Sequence, residues 1–153
     1  MRRAFGSTYP GHDANGVTGF QDQIPGALEW QQMANGALFS LAYATNEIPV
    51  QLSNDKDLGI YKSNLEDPPG ITIPGGTVLR MVDMKPGSIS PMHRTISLDY
   101  GVFLKGEVEL ILDSGETRLL KRGDIAKAKP LEINGNALEE DYGGGIDDVK
   151  PSK

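Results

Sequence analysis

Apolar and polar positions alternate most clearly in the second half of the chain. Between Thr77 and Met84, the residues Val78, Arg80, Val82 and Met84 fall on one face, and Leu79 and Met81 on the other. A period of two marks a β-strand, because successive side chains leave opposite faces. From Glu107 to Leu112 the alternation is cleaner. Val108, Leu110 and Leu112 are predicted to face a core, with Glu107 and Glu109 on the wet side. Tyr100 to Leu104, Thr117 to Leu120 and a strand starting at Ile125 complete this half. Residues 37–45 predict an earlier strand, with Phe39, Leu41 and Tyr43 on one face. Pro86-Gly87, Lys105-Gly106, Asp113-Ser114-Gly115-Glu116 and the stretch Lys121 to Asp124 punctuate these runs. Turn signals at roughly 8–12-residue intervals between short strands predict an antiparallel sandwich or barrel. No helix of ordinary length is predicted after residue 36.

The flanks read differently. Residues 1–36 form an irregular arm in which Gly11 to Gly16 and Pro25-Gly26 carry turn chemistry. Leu28 to Met33 fits a helical turn as well as a short strand. Residues 46–75 are loop-rich, with Asn54-Asp55-Lys56-Asp57 and Asp67-Pro68-Pro69-Gly70 as breakers. Ile48-Pro49-Val50 and Ile71-Thr72-Ile73 are candidate edge strands. Residues 130–153 are an acidic, glycine-containing tail with Gly143, Gly144 and Gly145 in a row, and poor order is expected there. One helical turn could form within Asn136 to Asp141. The division is therefore an arm (1–36), a β-barrel (37–129) and a tail (130–153).

Composition narrows the chemistry. With 153 residues the chain makes one domain with tails, and 19 glycines with 10 prolines suit many short strands. The net charge is −6, and no run of adjacent Lys or Arg exceeds two. Nucleic acid and anionic membranes are thus not expected partners. The absence of cysteine excludes thiol catalysis, disulfides and Cys-bound zinc. Met1-Arg2-Arg3 is followed by no apolar run, and no segment approaches a membrane span. A soluble cytoplasmic protein is expected.

Only two histidines are present, His12 and His93. His93 lies in the stretch from Gly87 to Gly106, with Thr95 two positions on and Asp99 six positions on. An extended strand puts residues two apart on one face, and a hairpin can bring a carboxylate beside them. A histidine oriented by a carboxylate is the usual arrangement for proton transfer near neutral pH. Arg94, on the other face, is expected to point outward or to pair with an acid. Arg80 would clamp an anion if its face is the interior; burial of Leu79 and Met81 instead would leave it on the surface.

Gly87, His93, Thr95, Asp99 and Gly106 stand at the spacings of the first cupin signature: Gly, five residues, His, one, His, three or four, Glu, six, Gly. Thr95 stands where the signature has its second His, and Asp99 where it has Glu. The run Pro91 to Val102, with Gly106 to Leu110 and Leu112 to Glu116, resembles small single-domain cupins of fungal secondary metabolism. Gly11-His12-Asp13 with Gly16, and Gly76 to Arg80, resemble them as well. A second signature should begin at Gly123-Asp124 and supply another His, but none follows; Asn134 holds that position by count.

The resemblance implies an all-β fold, a cupin-type antiparallel jelly-roll barrel, and a homodimer. It implies a small-molecule substrate, polyketide-like or aromatic and acidic, undergoing decarboxylation, dehydration or isomerisation. His93, Asp99 and Arg80 are the expected catalytic residues, and Arg80, Thr95, Tyr43 and Phe103 the expected substrate contacts. His93 and Asp99 are the candidate metal ligands. The expected cofactor is none, or a weakly bound divalent metal at an incomplete site, because an open non-haem site wants two His and a carboxylate. The competing reading is a degenerate, non-catalytic cupin that binds a small molecule or serves assembly.

Overall fold

The computed structural model describes residues 5–134, 136–139 and 141. The Gly143 to Gly145 run and Asp147-Asp148 lie outside the described residues, as does the basic start at Met1, Arg2 and Arg3. The fold is all-β and antiparallel, with a single α-helix among the described residues. The chain divides into two compact units, one ending at Ser88 and the other beginning at Ile89.

The arm carries strands. β1 (Pro10–His12) pairs with β2 (Thr18–Phe20), so His12 lies opposite Thr18. The connecting loop is set by Asp13, whose Oδ1 accepts the backbone N–H of Val17 at 2.9 Å and of Asn15 at 2.8 Å. These two donors, Val17 first, hold the Asp13 carboxyl below its ordinary pKa. The undecided stretch before Asn35 resolves as a strand. β3 (Gln31–Gln32) pairs with β4 (Leu38–Thr45), and β4 pairs with β5 (Thr77–Asp83) in a three-stranded sheet. Thr45 and Thr77 seat the β4–β5 pair: their hydroxyls lie 2.9 Å apart, and the Thr77 N–H donates to Thr45 Oγ1 at 3.0 Å. Gly76 is required there, because a Cβ at that position would collide with the Thr45 carbonyl.

The largest departure from expectation is α1 (Lys56–Glu66), which fills a region expected to be loop. Gly59, Ser63 and Asn64 are weak helix formers, and they hide the apolar stripe of Leu58, Tyr61 and Leu65. Packing decides the outcome: Leu58 and Tyr61 join Tyr9, Ile24 and Ala44 in the core, with Leu41, Tyr43, Leu65 and Ile73 around them. The helix begins after Asn54 and Asp55, both at positive φ, and stops at Asp67 before the paired prolines. Ile48 to Val50 and Ile71 to Ile73 are not strands.

The second unit is a set of hairpins. β6 (Asp99–Val102) pairs with β9 (Ile125–Ala128), and between them in sequence β7 (Glu107–Ile111) pairs with β8 (Thr117–Lys121). One hairpin nested inside another is the connectivity a jelly roll uses. Gly115, at φ 82°, supplies the left-handed position of the β7–β8 turn. At the next turn Asp124 Oδ2 accepts the N–H of Lys121 at 2.7 Å. β10 (Glu132–Ile133) pairs with β11 (Asn136–Ala137), so a strand stands where a helical turn was an option. The apolar face expected on β7 has no core beneath it: Val108, Leu110 and Leu112 are 39%, 40% and 47% exposed. Two-stranded ribbons cannot bury a face without a further layer.

Candidate functional site

The stretch from Pro91 to Asp99 is held by its own side chains. Thr95 is buried, and its Oγ1 accepts the Ser97 N–H at 3.1 Å and lies 2.8 Å from Ser97 Oγ. The Ser97 hydroxyl in turn donates to Asp99 Oδ1. Thr95, Ser97 and Asp99 therefore form a hydroxyl-to-carboxylate chain along one side of the segment. A carboxylate accepting from a fixed hydroxyl is oriented before any ligand arrives.

His93 is exposed, and its Nδ1 lies 3.1 Å from the carbonyl oxygen of Pro91. If that nitrogen carries the proton, Nε2 is the basic one. Arg94 pairs with an acid: it exchanges two backbone bonds with Asp141, at 2.7 and 3.2 Å, and its Nη2 lies 3.8 Å from Asp141 Oδ2. Its Nη1 also donates to the Glu139 carbonyl at 3.4 Å. This part of the tail is thus tied to the motif rather than merely solvated. Tyr100 is 70% exposed, whereas Phe103 is half-buried and its backbone bonds Asp124 and Gly123.

The remaining predicted residues belong to the first unit. Arg80 lies opposite Leu41 in the β4–β5 register. Its Nη1 donates to the Ile71 carbonyl at 3.1 Å, and its Nη2 to Pro69 and Gly70 at 3.2 and 2.6 Å. Arg80 is thereby the pin of the loop after α1, and acting as an anion clamp would require reopening those bonds. Tyr43 is packing: its ring stands 5.4 Å from that of Tyr61 and 6.5 Å from that of Tyr9, and its hydroxyl donates to Asp57. Burial, then the Asp57 carboxylate, push its phenol pKa up. Tyr61 bonds the Leu41 carbonyl at 2.9 Å, and burial, then Tyr9, push its pKa up as well.

Two features escaped sequence reading. One is Ser97, which the period of two places on the face of Thr95 and Asp99. The other is a cleft of about 300 Å³ lined by Trp30, Phe39, Leu41, Leu65 and Arg80, among others. Nothing local announced the cleft, because its walls come from β3, β4, β5 and the loop after a helix that the pattern concealed.

Comparison with known proteins now identifies the lineage. Phomopsin biosynthesis cluster protein C' of Diaporthe leptostromiformis is 46% identical across 92% of this chain and 88% of its own. Oryzines biosynthesis cluster protein J of Aspergillus oryzae is 38% identical, covering 86% and 88%. Cupin-domain-containing oxidoreductase srdB of Neurospora crassa is 31% identical, covering 87% and 79%. The chain belongs to this fungal cupin-domain family. No family model matches it.

Membership in the cupins raises the question of a metal. Among the described residues no three His, Cys, Asp or Glu side chains converge in a way that could hold one. The second histidine of the motif is Thr95, a neutral hydroxyl already engaged with Ser97. Among the described residues the donor set does not fit the facial arrangement of two His and a carboxylate. What the motif retains is an accessible imidazole and an oriented carboxylate. Among the described residues no helix is long and apolar enough to cross a membrane.

Proposed function

We propose that this cupin is a tailoring enzyme of a fungal biosynthetic pathway, a lyase or isomerase acting by proton transfer on a small aromatic or polyketide-like compound. The observation that carries the reading is Asp99, pre-oriented by Ser97 six residues after an exposed His93. In this scheme the imidazole takes a proton from the substrate and returns it elsewhere, to a neighbouring carbon or to a departing hydroxyl. Asp99 stabilises the charge that develops. The relatives named as biosynthesis-cluster proteins support the setting.

The test is complementation of a producing host from which the gene has been deleted. Wild-type protein restores the product; His93→Ala and Asp99→Asn, expressed at equal level, do not. Restoration by both variants would overturn the reading. The mass difference between the accumulated precursor and the product then names the reaction: loss of carbon dioxide, loss of water, or no change.

A second reading, a binding module without catalysis, is supported by the lack, among the described residues, of a cluster able to hold a metal. It predicts that purified protein binds the precursor and leaves it unchanged. For assembly, we propose a homodimer that covers the exposed strands of the second unit, among them Val108 and Leu110. Sedimentation should show a dimer that Leu110→Asp dissociates; a monomer at every concentration would refute it.

A further inference from the structure

The stretch around His93 is fastened to a distant part of the chain. β5 ends at Asp83 and β6 begins at Asp99, and between them Arg94 forms an isolated antiparallel bridge with Asp141. The Arg94 N–H donates to the Asp141 carbonyl at 2.7 Å, and the Asp141 N–H donates back to the Arg94 carbonyl at 3.2 Å. Such a reciprocal pair is the hydrogen-bonded unit of an antiparallel ladder. In an extended chain the neighbours of a bridged residue leave the opposite face. Holding the Arg94 backbone therefore sets the directions in which His93 and Thr95 project.

The Arg94 side chain follows its backbone onto the tail. Its Nη1 donates to the Glu139 carbonyl at 3.4 Å, 45 residues away in sequence. Its Nη2 lies 3.8 Å from Asp141 Oδ2, but that ion pair is 38% and 63% exposed, so solvent screens it and the backbone pair is the firmer tie. The tail arrives with its own support: β10 and β11 form a hairpin, and the Leu138 N–H extends it by donating to the Leu131 carbonyl at 3.0 Å. The contact of His93 Nδ1 with the Pro91 carbonyl and the Thr95–Ser97–Asp99 chain reach only two residues at each step. Bonds that local shape the segment but do not place it.

We propose that Arg94 and Asp141 are positioning residues for the His93 motif, with the chain at Glu139 and Asp141 serving as the strand partner that orients the imidazole. The acid–base reading of His93 and Asp99 says what the orientation serves; the orientation itself stands on the bridge.

With two histidines in the chain, ¹³C-labelled histidine gives two ring signals, and His12, in the first unit, is the internal control. His93→Ala assigns them. Asp141→Pro deletes the N–H that bonds the Arg94 carbonyl. It should move the His93 ring signal, average its side-chain rotamers and speed Arg94 amide exchange by about tenfold, while the His12 signal and the Ser97 amide stay unchanged. Asp141→Asn keeps the backbone pair and should match the wild type. Because proline also restricts the residue before it, Arg94→Gln serves as the second variant, and it should move the His93 signal in the same direction by less. In the deletion host Asp141→Asn should restore the product and Asp141→Pro should not. A His93 signal unmoved in both Asp141→Pro and Arg94→Gln, a His12 signal that moves with it, or an equal effect of Asp141→Asn would overturn the proposal. If the His93 signal does not respond while His93→Ala still abolishes the product, only this inference falls; if it responds while His93→Ala restores the product, the proton-transfer reading falls and the positioning stands.

Discussion

The two units of this cupin treat the same kind of strand differently. Among the described residues, every buried hydrophobic side chain lies in the first unit, from Tyr9 to Tyr61. In the second unit Thr95 is the only buried residue described, and both faces of β7 are exposed. The first unit has a helix to lay on its sheet; the described elements of the second are two-stranded ribbons. Yet the second unit carries most of the cupin signature, from His93 to Gly106. The buried core and the His93-to-Asp99 motif thus lie in different units, and the described strands β6 to β11 of the second unit leave most of their apolar side chains exposed.

The contrast can be broken most forcefully at Tyr61, which is 1% exposed and bonds the Leu41 carbonyl. Tyr61→Ala should cost about 3–5 kcal/mol in denaturant unfolding, as large aromatic truncations in cores do. Leu110→Ala, at a half-exposed ribbon position, should cost under about 1 kcal/mol in the monomer. Equal losses would erase the difference between the units.

Arg80→Gln comes next. It removes charge-assisted bonds to three carbonyls and should cost about 2 kcal/mol, with faster amide exchange confined to residues 69–71. Loss of ligand affinity with no change in that loop would restore Arg80 to a clamp.

The smallest effect is a pH dependence of the tyrosine cluster. Tyr43 and Tyr61 are held neutral in the folded chain, with pKa values above the ordinary phenol value of about 10. In the unfolded chain they ionise at that ordinary value. Their contribution to stability is therefore complete below about pH 10 and is lost as the pH climbs above it. Tyr43→Phe should flatten this decline and cost about 1 kcal/mol at neutral pH. A decline as steep in the variant as in the wild type would assign it to other groups.

Much of the strand order was legible because alternation and turn residues agree. Thr77 to Met84 was expected and β5 spans Thr77–Asp83; Glu107 to Leu112 was expected and β7 spans Glu107–Ile111. The helix was not legible, since Gly59, Ser63 and Asn64 lower its propensity and only tertiary contacts with Tyr9 and Ala44 recover it. In the motif, spacing pointed to His93, Thr95 and Asp99. It did not show that Thr95 spends its hydroxyl on Ser97, because a hydrogen bond depends on rotamers that periodicity does not encode. Arg80 shows the same limit: the register placed it beside Leu41, but the carbonyls it binds come from a loop with no periodic pattern.

The central proposal is that the cupin motif works here through an imidazole and an oriented carboxylate, since among the described residues no further side chains converge with them into a metal-holding set. Elemental analysis of the purified chain after dialysis against a chelator tests it most directly. The account predicts transition-metal content far below one per chain, equal in wild type and His93→Ala. One equivalent retained by the wild type and lost in His93→Ala would contradict it.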